Sequence, residues 1–247
     1  MSKFLPRWLI LLFLTIGSLA ASAQNQDFEA ANKLYYEGKF ADAAAAYEKL
    51  LAAAPRSPVL YFNLGNAFFK SGQIGRAVAS YRHAEKLSPR DPDVRANLQF
   101  AHNQVQGPTL KPDRYLGWLN HLTVNEWTVL ASLSYWLLCI ILVLRELKPG
   151  FRQSLRNLAA AVALLAIILC IGLFVAWGDQ RSHSLAVTTT PEAVLRAGPF
   201  DSAKNILTVH DGAELKVLDR KNDWVQVTAD NQRIGWVPRT AIVELAQ

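Results

Sequence analysis

The residues that could carry out covalent or metal chemistry are scattered along this chain. Its two cysteines, Cys139 and Cys170, both lie within apolar runs. Asp91 and Asp93 stand where a helix is expected to begin, and capping of that helix explains them. No phosphate-binding glycine loop and no nucleophile motif occurs. We therefore expect a protein that is not an enzyme and that uses no metal and no cofactor. The five histidines, none with a partner at metal-ligand spacing, are His83, His102, His121, His183 and His210.

The first half of the chain repeats itself with a period of about 34 residues. Residues 61–89 resemble a tetratricopeptide repeat (TPR), in which a small residue such as Gly65 recurs where two helices cross closely. Residues 27–55 resemble the same repeat with a degenerate start, and Pro92 opens a third first helix. The pattern predicts two helix pairs and a capping helix over residues 24–107, which is an α-helical solenoid. The residues that carry the resemblance are Tyr61, Leu64, Gly65, Phe68, Ala77, Tyr81 and Pro89.

The first helices of the TPR pairs line the concave side of such a solenoid, and the resemblance implies that this side binds a peptide. At the helical spacing i, i+4, i+7, one side of these helices carries asparagines and aromatic rings. The amides could hydrogen-bond the backbone of an extended peptide while the rings supply apolar contacts. Alternatively, the rings pack on one another or on the chain's own segment 115–122. The candidate groove residues are Phe28, Asn32, Tyr35, Phe62, Asn66, Phe69, Phe100 and Asn103.

Two apolar runs, 127–144 and 157–178, follow the repeats and contain no charged residue. Each is long enough to cross a hydrocarbon core of ~30 Å as a helix. The loop 145–156 between them carries four basic residues against one acid, and short basic loops stay cytoplasmic. We therefore expect a two-helix transmembrane hairpin that anchors the protein, with both flanking parts outside. Because no ionisable residue lies within the runs, transport is not expected. The charged loop residues are Arg145, Glu146, Lys148, Arg152 and Arg156.

The N-terminal segment agrees with this orientation. Residues 1–23 have the organisation of a cleaved secretory signal, with two basic residues, an apolar run and a terminal Ala-Ser-Ala. Residues 108–126 form a linker whose Trp118, together with Trp127, is expected to make an aromatic belt at the outer membrane surface. The formal net charge of +6 is concentrated in the signal and the loop 145–156. Nucleic acid is therefore not an expected partner.

After a linker at residues 179–185, the pattern changes to five or six short strands separated by turn residues. It predicts a small all-β barrel, closed to avoid exposed edges. Residues 186–247 resemble a bacterial SH3 domain, and such domains bind cell-wall peptides or other short peptides. Trp224 and Trp236 are candidates for a binding cleft, although large residues in so small a barrel are also candidates for its core. The resemblance rests on the stretches 194–199, 210–212, 223–225 and 235–237.

The order of these parts along the whole chain resembles the BatE family of the Bacteroides aerotolerance (Bat) proteins. The resemblance implies a non-enzymatic envelope protein that works beside membrane-anchored von Willebrand A-domain proteins and a MoxR-type ATPase in stress tolerance. Two hypotheses follow. The protein is either a scaffold at the bacterial inner membrane, with periplasmic TPR and SH3-like domains that bind partner proteins, or a sensor that binds peptidoglycan peptides through the SH3-like domain.

Overall fold

The computed structural model describes residues 25–54, 56–108, 110, 122–182, 185–230 and 233–245. The expected signal sequence, Trp118 and most of the segment 115–122 lie outside these residues. The described chain has three parts that follow one another in sequence. We refer to them as the repeat region (25–110), the helical hairpin (124–182) and the β-domain (185–245).

The repeat region contains five helices in which each helix packs against the next. Local side chains set the starts of α3 and α5, because the Ser57 hydroxyl and the Asp91 carboxylate accept backbone N–H groups of the first turn. A proline follows each of these caps, where its missing N–H costs nothing. The expected capping role of Asp91 is thus confirmed. The helices are α1 (25–36), α2 (Phe40–Ala53), α3 (Pro58–Lys70), α4 (Ile74–Leu87) and α5 (Pro92–His102).

Small residues allow these helices to cross closely, as the repeat pattern predicts. A Cβ atom at Gly65 would lie 2.6 Å from the ring of Tyr81, so any larger side chain would displace that ring. Tyr81 is only 2% exposed and fills the space between the two helices of its pair. Ala43 and Ala77 are completely buried at equivalent places in the two repeats. In the core of the repeat region, small residues thus stand beside large aromatic and aliphatic side chains.

The helical hairpin consists of α6 (Val124–Leu147) and α7 (Arg152–Ser182), which pack side by side. A 3-10 turn at Pro149–Phe151 joins them, and Thr123 and Glu126 form a capping box at the start of α6. Both helices are long and apolar enough to cross a membrane. Most of their large apolar side chains face away from the partner helix, which suits a lipid environment better than water.

Trp127 does not lie at an outward-facing belt, so the expectation is wrong for this residue. Its side chain is 6% exposed and packs between the two helices of the hairpin. The space for it exists because α7 has a glycine at this level. A Cβ atom at Gly172 would lie 2.6 Å from the indole ring of Trp127. The tryptophan therefore locks α6 against α7.

The β-domain is one antiparallel sheet of seven strands in the order β3-β2-β6-β5-β4-β1-β7. The expectation of a closed barrel is wrong, because β3 and β7 lie at opposite ends of the order and do not pair within the described residues. The seventh strand was not expected; it is three residues long, and a 3-10 turn places it beside β1. The strands are β1 (Leu185–Thr188), β2 (Glu192–Arg196), β3 (Asn205–His210), β4 (Glu214–Lys221), β5 (Trp224–Thr228), β6 (Ile234–Pro238) and β7 (Ile242–Glu244).

The β-domain has its own core and also packs directly on the repeat region. Inward-facing side chains such as Leu195, Val225 and Val237 are completely buried within the sheet. Strand β1 contacts α4, and Val187 of β1 belongs to the apolar core of the repeat region. In return, Val105 of the repeat region packs against the core of the β-domain.

Candidate peptide-binding surfaces

Two asparagines at equivalent places in the repeats are each held by a tyrosine. The Tyr47 hydroxyl donates a hydrogen bond of 2.7 Å to Asn32 Oδ1, and the Tyr81 hydroxyl donates one of 2.7 Å to Asn66 Oδ1. In both repeats the asparagine is on the first helix of the pair and the tyrosine is on the second. These bonds use the amide oxygens and fix the planes of the amides. Neither Nδ2 group donates to a residue that the structure describes.

The tyrosine hydroxyls that orient these amides stay protonated. Burial raises the pKa of Tyr47 to about 12, and burial likewise raises the pKa of Tyr81. A protonated hydroxyl can donate at any physiological pH, so each Asn Oδ1 remains an acceptor and each Nδ2 remains available as a donor. Asn97 of α5 adds to this arrangement, because its Nδ2 donates to Asn66 Oδ1 at 3.1 Å. Helices α3 and α5 are thereby joined through one amide.

The aromatic members of the predicted groove pack largely on other rings, as the alternative interpretation anticipated. The ring centroids of Phe28 and Tyr47 are 6.3 Å apart, and those of Phe62 and Tyr81 are 6.1 Å apart. Phe100 packs on Phe69 with centroids 5.4 Å apart, yet its side chain is still 55% exposed. The rings therefore support the asparagine–tyrosine pairs, and Phe100 also offers an apolar surface to a ligand.

Two predicted groove residues lie away from this arrangement. Tyr35 is near the end of α1 and packs edge-on against Phe40, with ring centroids 5.3 Å apart. Asn103 is the C-cap residue of α5, and its Oδ1 accepts a 3.0 Å hydrogen bond from Gln99 Nε2. Within the described residues, neither bonds to or stacks on another member of the predicted set.

Sequence reasoning missed the polar role of the two tyrosines and the contribution of Asn97. A signal for the tyrosines was present, because the asparagine precedes the tyrosine by 15 residues in both repeats. Tyr81 served only as one of the residues that carry the repeat resemblance, and Tyr47 stands at the equivalent place 34 residues earlier. No comparable spacing identifies Asn97, because the third repeat lacks a second helix among the described residues.

Trp224 and Trp236 lie on the outer side of the β-domain sheet. Strand alternation places Val225 and Val237 inward, so both tryptophans point the other way and are half-buried. The pairing of β5 with β6 sets Trp224 opposite Pro238 and Gln226 opposite Trp236. Valines and leucines, rather than these tryptophans, fill the apolar core.

Arg196 extends this surface across the next strand. It is paired with Trp236 in the register of β2 with β6. Its Nη1 donates to the Ala203 carbonyl at 3.3 Å and to Asn205 Oδ1 at 3.2 Å, so the β2–β3 loop holds the guanidinium in place. We call the set Arg196, Trp224, Gln226, Trp236 and Pro238 the tryptophan face. It combines two flat apolar rings with an amide and a cation, which suits a polar peptide with apolar side chains.

Comparison with known families divides the chain in the same way as its structure. A tetratricopeptide-repeat family model matches residues 28–92, and a bacterial SH3 domain model matches residues 191–242. No curated protein matches the chain. Both families are binding modules rather than catalytic domains. No group of three His, Cys, Asp or Glu side chains within the described ranges could hold a metal ion. The chain thus contains two modules suited to binding protein or peptidoglycan.

Proposed function

We propose that this protein is a scaffold anchored in the bacterial inner membrane that holds an extended segment of a partner protein along α1, α3 and α5. The observation that carries the proposal is the pair of tyrosine-held amides, Asn32 and Asn66. Their Nδ2 groups recur once per repeat and lack a described acceptor, whereas the carbonyl groups of an extended peptide need donors. Donors that are fixed before binding lose little conformational freedom when the ligand arrives.

The helical hairpin supplies the anchor in this proposal. Its basic loop, which carries Arg145, Lys148 and Arg152, supports a cytoplasmic turn, and the proposal puts the repeat region and the β-domain in the periplasm. By resemblance to the BatE family, the partners are membrane-anchored von Willebrand A-domain proteins that work with a MoxR-type ATPase in an envelope-stress or aerotolerance complex. The signal sequence expected at residues 1–23 is consistent with export.

Labelling of single cysteines tests the orientation. In a background with Cys139 and Cys170 replaced by alanine, Ser154→Cys reports on the exposed start of α7 beside the 3-10 turn, and Asp201→Cys reports on the exposed β2–β3 turn. A membrane-impermeant maleimide applied to spheroplasts should label position 201 and spare position 154 until the cells are lysed. Labelling of position 154 in intact spheroplasts would contradict the proposed orientation.

Co-purification in mild detergent tests the groove. The full-length protein should retain a partner that dissociates when Phe62 and Asn66 are both replaced by alanine. Asn63→Ala is the matched control, because Asn63 is a half-buried asparagine of the same helix outside the predicted set. Equal recovery of the partner by the double variant and by wild type would refute binding along this face.

Peptidoglycan binding through the β-domain is a second candidate, favoured by the position of both tryptophans outside the core. The indole rings could pack on alkyl or sugar surfaces, while Arg196 could pair with a stem-peptide carboxylate. Sedimentation of the full-length detergent-solubilised protein with purified sacculi measures this binding. Trp224→Ala combined with Trp236→Ala should abolish it, and Phe200→Ala, which removes an exposed ring outside the tryptophan face, should not. Retention of the double tryptophan variant would refute this candidate.

A further inference from the structure

The first turn of α4 lies directly against the backbone of the β-domain, and a glycine makes this possible. A Cβ atom at Gly75 would lie 2.0 Å from the Thr188 carbonyl oxygen and 2.3 Å from Asp211 Oδ1. The three nearest atoms to that position all belong to the β-domain. Glycine destabilises a helix relative to alanine, so its place in α4 calls for a reason. The approach of the β-domain supplies that reason.

The N-terminus of α4 also depends on the β-domain for its cap. Gln73, the N-cap residue of α4, makes no capping hydrogen bond with its side chain. Instead, the Asp211 carboxylate lies against this helix start, where the backbone N–H groups of Ile74 and Gly75 stabilise its charge. The free N–H groups at the start of a helix need acceptors, and a carboxylate there also interacts favourably with the helix dipole. A residue far along the chain therefore performs the task of a local cap.

A buried ion pair joins the two regions further along α4. Arg82 Nε lies 2.5 Å from Glu214 Oε1, and Arg82 Nη2 lies 2.8 Å from Oε2, which is a two-bond contact. The Glu214 side chain is 3% exposed and that of Arg82 is 19% exposed. Glu85 also pairs with Arg82, and His102 Nε2 of α5 lies 3.3 Å from Glu214 Oε1. Charges so deeply buried are costly unless each keeps its partner.

Apolar and backbone contacts complete the interface. Val187 of β1 packs in the core of the repeat region. A Cβ atom at Gly212 would lie 2.7 Å from the Val105 side chain, so a second glycine also marks a close approach. Leu110 N–H donates to the Glu214 carbonyl at 3.1 Å. The contact thus has the shape fit and the apolar centre of a domain interior, and both side-chain and backbone hydrogen bonds cross it.

We infer that the β-domain is the cap of the repeat solenoid and that the two regions form one obligate unit into which the helical hairpin is inserted. The sheet covers α4 and the end of α5, where a further repeat would otherwise bury the apolar face of the solenoid. The β-domain is therefore not a freely moving module. The surface around Thr188, Asp211 and Glu214 is closed to external ligands. This inference holds whichever ligand the protein binds.

The substitution Gly75→Ala distinguishes an obligate unit from two independent modules, because the two cases predict opposite effects on stability. If the modules were independent, alanine would leave the protein unchanged or stabilise α4. If they form one unit, the methyl group forces the β-domain away. Hydrogen exchange of the full-length protein in detergent should then become at least tenfold faster in β1 and in residues 211–214. Unchanged protection of β1 in this variant would overturn the inference.

Arg76→Ala is the control for a merely local disturbance of α4. Arg76 pairs with Glu48 and lies over the Phe68 ring, so its contacts remain within the repeat region. This variant should leave exchange in β1 unchanged. If exchange of β1 were as fast in Arg76→Ala as in Gly75→Ala, any weakening of α4 would affect the sheet. That result would overturn the specific role of the interface.

A second measurement does not depend on a steric clash. Arg82→Met, Glu214→Gln and the double variant form a cycle whose readout is the exchange rate of β1 amides. Each single variant removes the two-bond contact between Arg82 and Glu214, so each should raise the rate at least tenfold. The double variant should be no faster than the worse single variant. Two unrelated sites would give a double variant whose increase in exchange rate is the product of the two single increases. That result would overturn the inference.

Discussion

At the scale of single residues, the Tyr81 hydroxyl donates the shorter of the two hydrogen bonds that orient Asn66, the other coming from Asn97 Nδ2. Tyr81→Phe keeps the ring that packs over Gly65 and removes the 2.7 Å hydrogen bond to Asn66 Oδ1. We expect a loss of about 1 kcal/mol in the free energy of unfolding. Partner binding should also weaken, because the amide can then rotate. Chemical denaturation in detergent measures the first effect and co-purification measures the second.

Tyr36→Phe is the matched control for the loss of a tyrosine hydroxyl. Tyr36 is 86% exposed, and its hydroxyl bonds to no described residue. This variant should unfold at the same denaturant concentration as wild type. Equal stabilities of the Tyr81 and Tyr36 variants would contradict the role given to the buried hydroxyl.

The Glu214 carboxylate should make the protein sensitive to acid. Hydrogen bonds and the charge of Arg82 outweigh burial and lower its pKa to about 2, from an ordinary value of 4.5. Because the pKa is lower in the folded state, the stabilisation is complete above about pH 4.5 and is lost as the pH falls towards 2. Wild type should therefore lose more stability between pH 5 and pH 3 than Glu214→Gln does. Thermal unfolding across this range measures the difference.

Glu48→Gln is the comparison for that acid dependence. Its carboxylate pairs with Arg76 at the surface, where water and salt screen the interaction. Between pH 5 and pH 3, this variant should lose as much stability as wild type does. If Glu214→Gln and Glu48→Gln lost equal stability between pH 5 and pH 3, the buried pair would not be the source of the pH dependence.

At the scale of elements, the helical hairpin depends on the space that Gly172 leaves for Trp127. Gly172→Leu should expel the indole ring, because even a Cβ atom would lie 2.6 Å from it. Gly178→Leu is the control in the same helix, since no atom lies within 4 Å of a Cβ built there. We expect Gly172→Leu to lower the temperature of thermal aggregation in detergent and Gly178→Leu to leave it unchanged. Equal behaviour of the two variants would contradict this account of the packing.

The local elements could largely be predicted from the sequence, because their signals are local. Gly65 and Tyr81 stand in a periodic pattern, and Asp91 precedes a proline as a helix cap does. Strand β7 was missed because three residues after a turn give too short an alternation to detect. The inward position of Trp127 was missed because it depends on Gly172, a residue on another helix, and no single-helix pattern reveals that pairing.

At the scale of the whole molecule, the hairpin should be removable. Leu110 bonds to Glu214, and β1 pairs with β4 at that same residue, so the two ends of residues 111–184 leave the unit close together. A flexible linker of about ten Gly and Ser residues should bridge them. We expect residues 25–110, this linker and residues 185–245 to form a soluble monomer that unfolds in one cooperative transition. Size-exclusion chromatography and thermal circular dichroism measure these properties.

The chimera would unfold differently if the repeat region and the β-domain were independent. Two separate thermal transitions would mean that the repeat region and the β-domain unfold independently. The same chimera with Gly75→Ala is the internal comparison, because it should lose the single transition.

The contact between the repeat region and the β-domain could not be predicted from the sequence. Arg82 and Glu214 are 132 residues apart, and nothing near either residue marks it as half of a pair. Asp211 and Gly212 carry an ordinary turn signal, which gives no indication that the carboxylate caps a distant helix. Gly75 has the same difficulty, since an isolated glycine near a helix start has many explanations. Only the packed chain connects these residues.

Gly75 should restrict how the sequences of related chains can change during evolution. In a chain with the same repeats but no sheet domain, nothing would occupy the space beside this helix turn, and alanine would be the better residue there. In a chain that keeps both regions, Gly75 and Asp211 serve the same contact and should be retained or replaced together. The two positions should therefore covary among descendants of a common ancestor. A glycine at this helix start would then mark, from the repeats alone, the chains that carry the sheet domain.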